Sequence, residues 1–597
     1  MCKLSVLGSL NTQDNVEFIA EEDALLEIHP NGSNYNLSNA IFQGDGRIDL
    51  YIDNEQGSVS FNSSRFSNVN FESQADNLVI TGCTFDTPYA YLNSSNGNVS
   101  ISNSTLTNYA LNLSNFDQQN YLNEKVSVIG CNFTGPSEYY MEAIIVHNYG
   151  KYHIQNNSIE NYYIGIDLSF SGDGRPAAVD QLVDNNVIFN CASDGINAYN
   201  SKGIIYKNNI YNNYYGVRFL NNCNFQLFGD QNAQSYSETQ QIADNSGIEV
   251  YAASLGFPTN FRYNTIRDWN NLGNPDDPLV FWDVPEGIIR SQADVRCNNW
   301  GTGFNPPQDL GNNNVMFLYD PVWLIPVGPP PPPPPDKVLY ENALTDFVNG
   351  NDAEAEALYK SLIVQYPYSL YAEASMKDLL RLEQSTDQDY TSLQDYYSTN
   401  DSIQSDSLLL VLSNVLVNDC NVKLENFPAA INYYESVLDN PLSEVDSIYA
   451  IIDLGYVYTL MEQDGLKSNY TGRYTEHKPC SIKEFQIRKN YLLSLIPSKN
   501  TYRRLSSDIS AGSLSQNYPN PTLDITMITY SLNKVSNIFV RLVDNSGKTV
   551  KSFKEGNMPA GVHKIEMNVK DLPTGIYFYS LFIDGNLMDT KKINIIR

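Results

Sequence analysis

No run of 18 or more apolar residues occurs in the 597-residue chain, which argues against a membrane-spanning helix. Cysteine is scarce: the eight present form no Cys-x-x-Cys pair and fall at no metal-ligand spacing with the five histidines, so no zinc site is expected. Basic residues are outnumbered, 37 against 68 acids, and the formal charge of −31 argues against nucleic acid or an anionic membrane as partner. That acidity is compatible with calcium, but total charge is not a site, and neither a calcium ligand set nor any other cofactor is identified. Charged residues make up only 18% of the chain. Polarity is carried instead by Asn, Ser and 42 tyrosines, a composition suited to strands and tight turns.

A repeat fills the first 320 residues. Apolar anchors recur at Phe42, Phe66, Phe85, Leu106, Phe133, Ile159, Ile188, Ile210, Ile266 and Trp300. A second apolar residue stands five positions before each, from Leu37, Phe61 and Ile80 to Phe261 and Val295. Two positions before each anchor the residue is small or an amide: Ala40, Ser64, Cys83, Ser104, Cys131, Asn157, Asn186, Asn208, Asn264 and Asn298. Spacings of about 19 to 29 residues are those of one turn of a β-solenoid, and the gap from Ile210 to Ile266 predicts one more, degenerate coil. In such stacking, equivalent side chains lie about 4.8 Å apart. Cys83 and Cys131, two coils apart, are then too distant for a disulfide and read as buried small hydrophobes.

Downstream of each anchor a small residue opens an alternating strand, as in Gly165-Ile166-Asp167-Leu168, Gly195-Ile196-Asn197-Ala198, Gly216-Val217-Arg218-Phe219 and Gly247-Ile248-Glu249-Val250. Asp167, Asn197, Arg218 and Glu249 would then form a mixed-charge stripe on an outer face. Such a stripe suits acid–base chemistry or uronate binding, and equally a solvated ladder of charges. Asp167, Arg218 and Glu249 are the catalytic candidates; Asn197, Arg218, Tyr163 and Tyr215 are the binding candidates, the tyrosines as platforms for sugar rings. Tyr139, Tyr140, Tyr162 and Tyr214 complete the tyrosine pairs, in each of which one ring has the alternative of plugging the coil interior. His147, His153 and Asp276-Asp277 read as structural or surface features, and the insertion Asp173-Gly174-Arg175 as a plain surface loop, with a loop over the groove as the alternative.

The repeat, best seen in Ile154-Gln155-Asn156-Asn157-Ser158-Ile159 and in Val183-Asp184-Asn185-Asn186, resembles that of pectate-lyase-like right-handed parallel β-helix proteins. This resemblance implies a fold over roughly residues 30–305. It implies no single activity, because lyases, hydrolases, adhesins and scaffolds share that fold. The catalytic sets of the polygalacturonase-like hydrolases are missing.

Seven prolines at 329–335 form a stiff boundary. Beyond it, Ala353-Glu354-Ala355-Glu356-Ala357-Leu358-Tyr359 and Pro428-Ala429-Ala430-Ile431 resemble tetratricopeptide units and imply a protein-binding surface. The last 85 residues return to β composition, with Asn517-Tyr518-Pro519-Asn520-Pro521, Gly547, Leu572-Pro573-Thr574-Gly575-Ile576-Tyr577 and Lys591-Lys592 in order. That series resembles the type IX secretion C-terminal sorting domain. The resemblance implies an immunoglobulin-like sandwich, export in a Bacteroidetes-type Gram-negative bacterium, contact with the secretion machinery and a sortase-like peptidase, and an extracellular or outer-membrane-surface location. The N-terminal Met-Cys-Lys-Leu-Ser-Val-Leu-Gly-Ser-Leu is too short and polar for a signal peptide, so an exported chain is expected to start upstream of it.

The expected organisation is therefore a multidomain, mainly β chain: β-helix over 1–325, polyproline linker over 326–336, helical repeats over 337–500, a second linker over 501–516 and the sorting domain over 517–597. Three functions remain open: glycan or surface-polymer binding and adhesion, cleavage of acidic polysaccharide by a lyase or hydrolase, and a structural spacer.

Overall fold

A computed structural model describes residues 2–595 apart from a number of short stretches and the longer segments 269–277, 323–332, 464–484, 494–511 and 515–521. Two units emerge, Met1–Leu493 and Ser494–Arg597.

The first is built on parallel strands stacked in three columns, a β-helix-like solenoid. Column one is an 11-stranded sheet. Columns two and three are joined into one 22-stranded sheet by the long strands Thr84–Ser95 and Thr105–Ser114, which run through both. The anchors stack in register along column two: Phe42 on Phe66, Phe66 on Phe85, then Leu106, Phe133, Ile159, Ile188 and Ile210. The expected hidden coil is present, with Ile242 between Ile210 and Ile266. Phe18, Phe42, Phe66 and Phe85 stack inside with centroids 4.5–4.9 Å apart and planes within 6°. Their spacing follows from the coil rise rather than from any pairwise preference.

The corner between columns one and two explains the asparagines. Asn39, Ser63, Gly82, Asn103, Gly130, Asn156, Asn185 and Lys207 each adopt a positive φ there, a conformation that Gly and Asn tolerate best. From Ser64 onward the next residue turns its side chain along the stack to accept the backbone N–H of its equivalent one coil earlier. Cys131 donates to Asn157 Oδ1 (2.9 Å), Asn157 to Asn186 (3.0 Å), Asn186 to Asn208 (3.0 Å) and Asn208 to Gln240 Oε1 (2.8 Å). The ladder satisfies buried amides that would each cost about 1–3 kcal/mol if left bare. Cys83 and Cys131 are buried free thiols in this column.

The helical segment begins inside the proline run: Pro334 is extended (φ −65°, ψ 153°) and caps the helix Pro335–Asn349. A proline at the first helical position forfeits no hydrogen bond. Helices Asp352–Gln365, Leu370–Gln384, Tyr390–Thr399, Asp401–Ser405, Ser407–Lys423, Phe427–Asp439 and Glu444–Gln463 follow. Leu370–Gln384 is buried along nearly its whole length, and one hydrophobic core runs from the solenoid through to Cys420. The prolines thus separate solenoid and helices in sequence, whereas in space both belong to one compact unit.

The second unit pairs a three-stranded antiparallel sheet with a four-stranded one over a core of Ile528, Val540, Leu542, Tyr579 and Leu581. Strand Ile525–Leu532 belongs to the first of these sheets and Ser536–Asp544 to the second.

Candidate functional site

Column three carries the expected stripe. Asp167 pairs in register with Asn197, and Asn197 with Arg218. The next position is Tyr251, not Glu249, because Val217 pairs with Val250. Glu249 sits outside the stripe and accepts from the Asn245 amide at 3.3 Å.

The face is closed rather than open. Asp167 is 0% exposed, Asn197 1%, Glu249 1%, Tyr215 4% and Arg218 6%. Asn197 Nδ2 donates to Asp167 Oδ1 (2.9 Å), and Lys489 donates to Oδ2 of the same carboxylate (2.8 Å) and to the Ser169 hydroxyl. Arg218 forms a 2.7 Å ion pair with Asp194 and lies 5.0 Å from the Tyr215 ring centroid. Burial raises Asp194 above the usual carboxylate range, and Arg218 only partly offsets it. Tyr163 stays half-buried at the margin. Of the tyrosine pairs, Tyr162 and Tyr215 are buried while Tyr163 and Tyr214 are half-buried; Tyr139 and Tyr140 lie outside the described residues.

The cover is the helical segment. Tyr199 donates to Asp453 Oδ1 at 2.8 Å, joined by Asn200 (3.1 Å) and Asn221 (3.2 Å). Lys377 Nζ donates to the carbonyls of Cys223 (2.6 Å) and Leu255 (2.5 Å), and Asn224 donates to Asp378 (3.1 Å). Tyr456 stacks on Phe170 at 4.2 Å. The insertion Asp173-Gly174-Arg175, expected to be a plain surface loop, is a clasp. Asp173 pairs with Lys202, with Lys423 4.0 Å away, while the Gly174 carbonyl accepts from Arg381 Nε (2.9 Å). Burial pushes the Asp173 carboxyl up, but the two lysines outweigh it and hold it low. Sequence reasoning missed Lys377, Asp453 and Lys489. The one available signal was at Asp453, a carboxylate with Tyr449, Ala450, Tyr456 and Val457 at helical spacing around it.

His147 is buried among Phe170, Tyr456 and Phe485, and burial, then Lys489, holds its imidazole well below the usual range. His153 contacts Asp184 at 3.2 Å. Among the described residues no group of three or more His, Cys, Asp or Glu is arranged to hold a metal ion. Asp276 and Asp277 lie outside the described residues.

Columns one and two carry half-exposed rings on neighbouring coils. Phe189 and Tyr211 stack at 5.2 Å with planes 5° apart, and Tyr206 meets Phe228 at 5.1 Å. Lys207 lies 5.2 Å from the Tyr206 centroid and is paired with Asp230 at 2.8 Å.

In the second unit, Gly575 opens the strand Gly575–Ile583, and Tyr577 donates to the Pro573 carbonyl at 3.0 Å. Lys591 and Lys592 stand opposite Tyr579 and Phe578. Asn517, Tyr518, Pro519, Asn520, Pro521 and Gly547 lie outside the described residues.

Residues 516–596 match the family model of the secretion system C-terminal sorting domain. The chain is therefore exported by type IX secretion to the cell surface or the extracellular space, and its sorting domain engages that machinery. Among the described residues no helix is long and apolar enough to cross a membrane. No curated protein matches the sequence. Among solved structures, the Pseudomonas fluorescens alkylpurine DNA glycosylase AlkC, bound to DNA containing an abasic site analogue, is similar over 45% of this chain and 83% of its own. Its identity is 13% and its TM-score 0.12, too low to bear on fold or function.

Proposed function

We propose that this protein is a surface-displayed or released binding protein that holds a glycan or other surface polymer on columns one and two of the solenoid. The observation that carries this reading is the pair of half-exposed ring contacts, Phe189 with Tyr211 and Tyr206 with Phe228, on neighbouring coils. Aromatic rings offer sugars a flat apolar face, and the tyrosine hydroxyl and Lys207 add polar contacts beside it. In this reading a sortase-like peptidase removes the sorting domain after export. Cleavage of polysaccharide is disfavoured because Asp167 and Arg218 are both committed to ion pairs beneath the helices.

The test is a polysaccharide array probed with the full chain, scoring retention and released product together. Retention without product, weakened roughly fivefold to a hundredfold by Tyr206→Ala with Tyr211→Ala, is expected, since two stacking contacts worth about 0.5–1.5 kcal/mol each are lost. Release of unsaturated uronates or reducing ends overturns the reading in favour of a lyase or hydrolase. Silence on every polymer favours the spacer.

A further inference from the structure

The outer face of the four-stranded sheet in the second unit is unlike the rest of that unit. Along the strand Ser536–Asp544, Ile538, Val540 and Leu542 point into the core, which turns Phe539 and Arg541 outward. Along Gly575–Ile583, Tyr579 and Leu581 point inward and Phe582 outward. Register sets Phe539 between Lys554 and Phe582, and Arg541 between Ser552 and Ser580. The two phenylalanine rings meet at 5.5 Å, both half-buried. The Arg541 guanidinium lies 5.1 Å from the Phe582 centroid, and its Nε is enclosed without an acceptor among the described residues. Lys554 is exposed beside them, and Lys592 follows one strand further on, opposite Phe578.

A cation held over one ring of an aromatic pair, with donor capacity unspent, is an arrangement made for an anionic group that arrives with apolar surface around it. The distribution of charge says what that partner must discriminate. Residues 517–597 carry ten Lys and Arg against seven Asp and Glu, a formal +3, so the preceding 516 residues carry −34. An acidic docking surface attracts the sorting domain and repels the cargo attached to it, which is specificity by repulsion as well as by attraction.

From this face we infer that the export machinery recognises the domain through Phe539, Phe582, Arg541 and Lys554, using an acidic protein surface with an apolar contact at its centre. The inference rests on export through the sorting domain and adds the face and the chemistry of its partner. Arg541 supplies the central charge-assisted contact, the phenylalanines the desolvated centre, and Lys554 the rim that steers the encounter.

The experiment expresses the full chain in a type IX-competent host and measures the share that reaches the cell surface or medium rather than the periplasm. Arg541→Glu with Lys554→Glu should cut that share roughly tenfold, since like charges facing each other across an interface cost several kcal/mol. Lys564→Glu with Lys570→Glu makes the same change in net charge at exposed positions outside this face and should leave export intact. Arg541→Lys should retain an intermediate share. Thermal midpoints of the purified variants within a few degrees of wild type establish that the reversal pair still folds. If it does not fold, Phe582→Gln, which keeps the charges, takes its place and should show the same loss.

Equal loss from both charge-reversal pairs makes net charge the determinant and overturns the assignment of the face. Unchanged export of the Arg541/Lys554 variant overturns it as well. So does unchanged export accompanied by lost binding to lipopolysaccharide vesicles, which assigns the face to the membrane surface instead. Failure of the wild-type chain to leave the periplasm contradicts export through the sorting domain itself, a result distinct from all of these.

Discussion

Arg175 and Asp352 face each other across the seam between solenoid and helices, with NH1 and NH2 on the two carboxylate oxygens at 2.6 and 2.8 Å. The same NH1 donates to the Phe347 carbonyl at 2.7 Å, and the guanidinium lies 5.1 Å from the Phe347 centroid. A planar fork satisfies all of this at once and a lysine does not. Both side chains remain about 30% exposed, so the pair is worth less than a fully buried one. Arg175→Ala should lower the stability of the full chain by about 1–2 kcal/mol in urea titration. Arg175→Lys should restore less than half of that; full restoration would sink the two-pronged reading.

Lys489 reaches Asp167 at 2.8 Å where both are essentially solvent-free. Removing one partner of such a pair strands the other charge, which costs about 3–5 kcal/mol. Lys489→Met should therefore destabilise strongly. Lys489→Met combined with Asp167→Leu should recover most of the loss, because neither member of the pair is then left stranded. A double-mutant cycle in urea reads the coupling. Additive losses would mean that the two residues do not meet.

The corner ladder makes a paired prediction on neighbouring residues. Asn186 accepts from the Asn157 amide and donates to the Ile154 carbonyl (2.9 Å) from a buried position, whereas Asn185 is exposed with φ 52°. Asn186→Ala should cost about 3 kcal/mol by stranding both groups. Asn185→Gly should be tolerated within about 1 kcal/mol, and Asn185→Val should cost more than Asn185→Gly, because a β-branched residue resists positive φ. Equal effects of glycine and valine at 185 would contradict the corner geometry.

The ladder was legible in the sequence for the same reason it is stable: each coil repeats the same physical demand at the same place. Even the hidden coil at Ile242 followed from an oversized gap. The stripe failed at its last member because the coil lengthens. Four positions separate Asn213, whose backbone N–H donates to Asn245 Oδ1 one coil on (2.9 Å), from Val217, but five separate Asn245 from Val250, and this shifts the strand past Glu249. The seam was illegible for a different reason. Lys377 finds the Cys223 carbonyl 154 positions away, Asp453 finds Tyr199 at 254, and Lys489 finds Asp167 at 322. No local period encodes a partner at such distances, so a buried interface read as an open face.

Asp453 gives the seam a pH dependence of definite sign. Burial, the largest influence, pushes its carboxyl up to about 8, and the hydrogen bonds from Tyr199, Asn221 and Asn200 offset this only partly. Asp419 faces it from the helix Ser407–Lys423 and adds to the rise, while Tyr434 and Tyr449 complete the surroundings. The folded state therefore holds the Asp453 proton more tightly than the unfolded chain does. The stability linked to it is fully present below the ordinary carboxylate range near 4 and drains away as pH rises through about 8. Asp419, raised to about 6, acts in the same direction over a lower window. The stability of the full chain from urea titration at pH 5 to 9 should fall with rising pH, by about 1.4 kcal/mol per unit from pH 6 to 8 and by up to about twice that near pH 5, where both carboxyls contribute. Asp453→Asn should flatten the curve between pH 6 and 8 and, below 6, leave only the shallower slope that Asp419 supplies. Parallel curves for the two proteins from pH 6 to 8 would show that Asp453 is ionised when docked and that its three donors outweigh its burial.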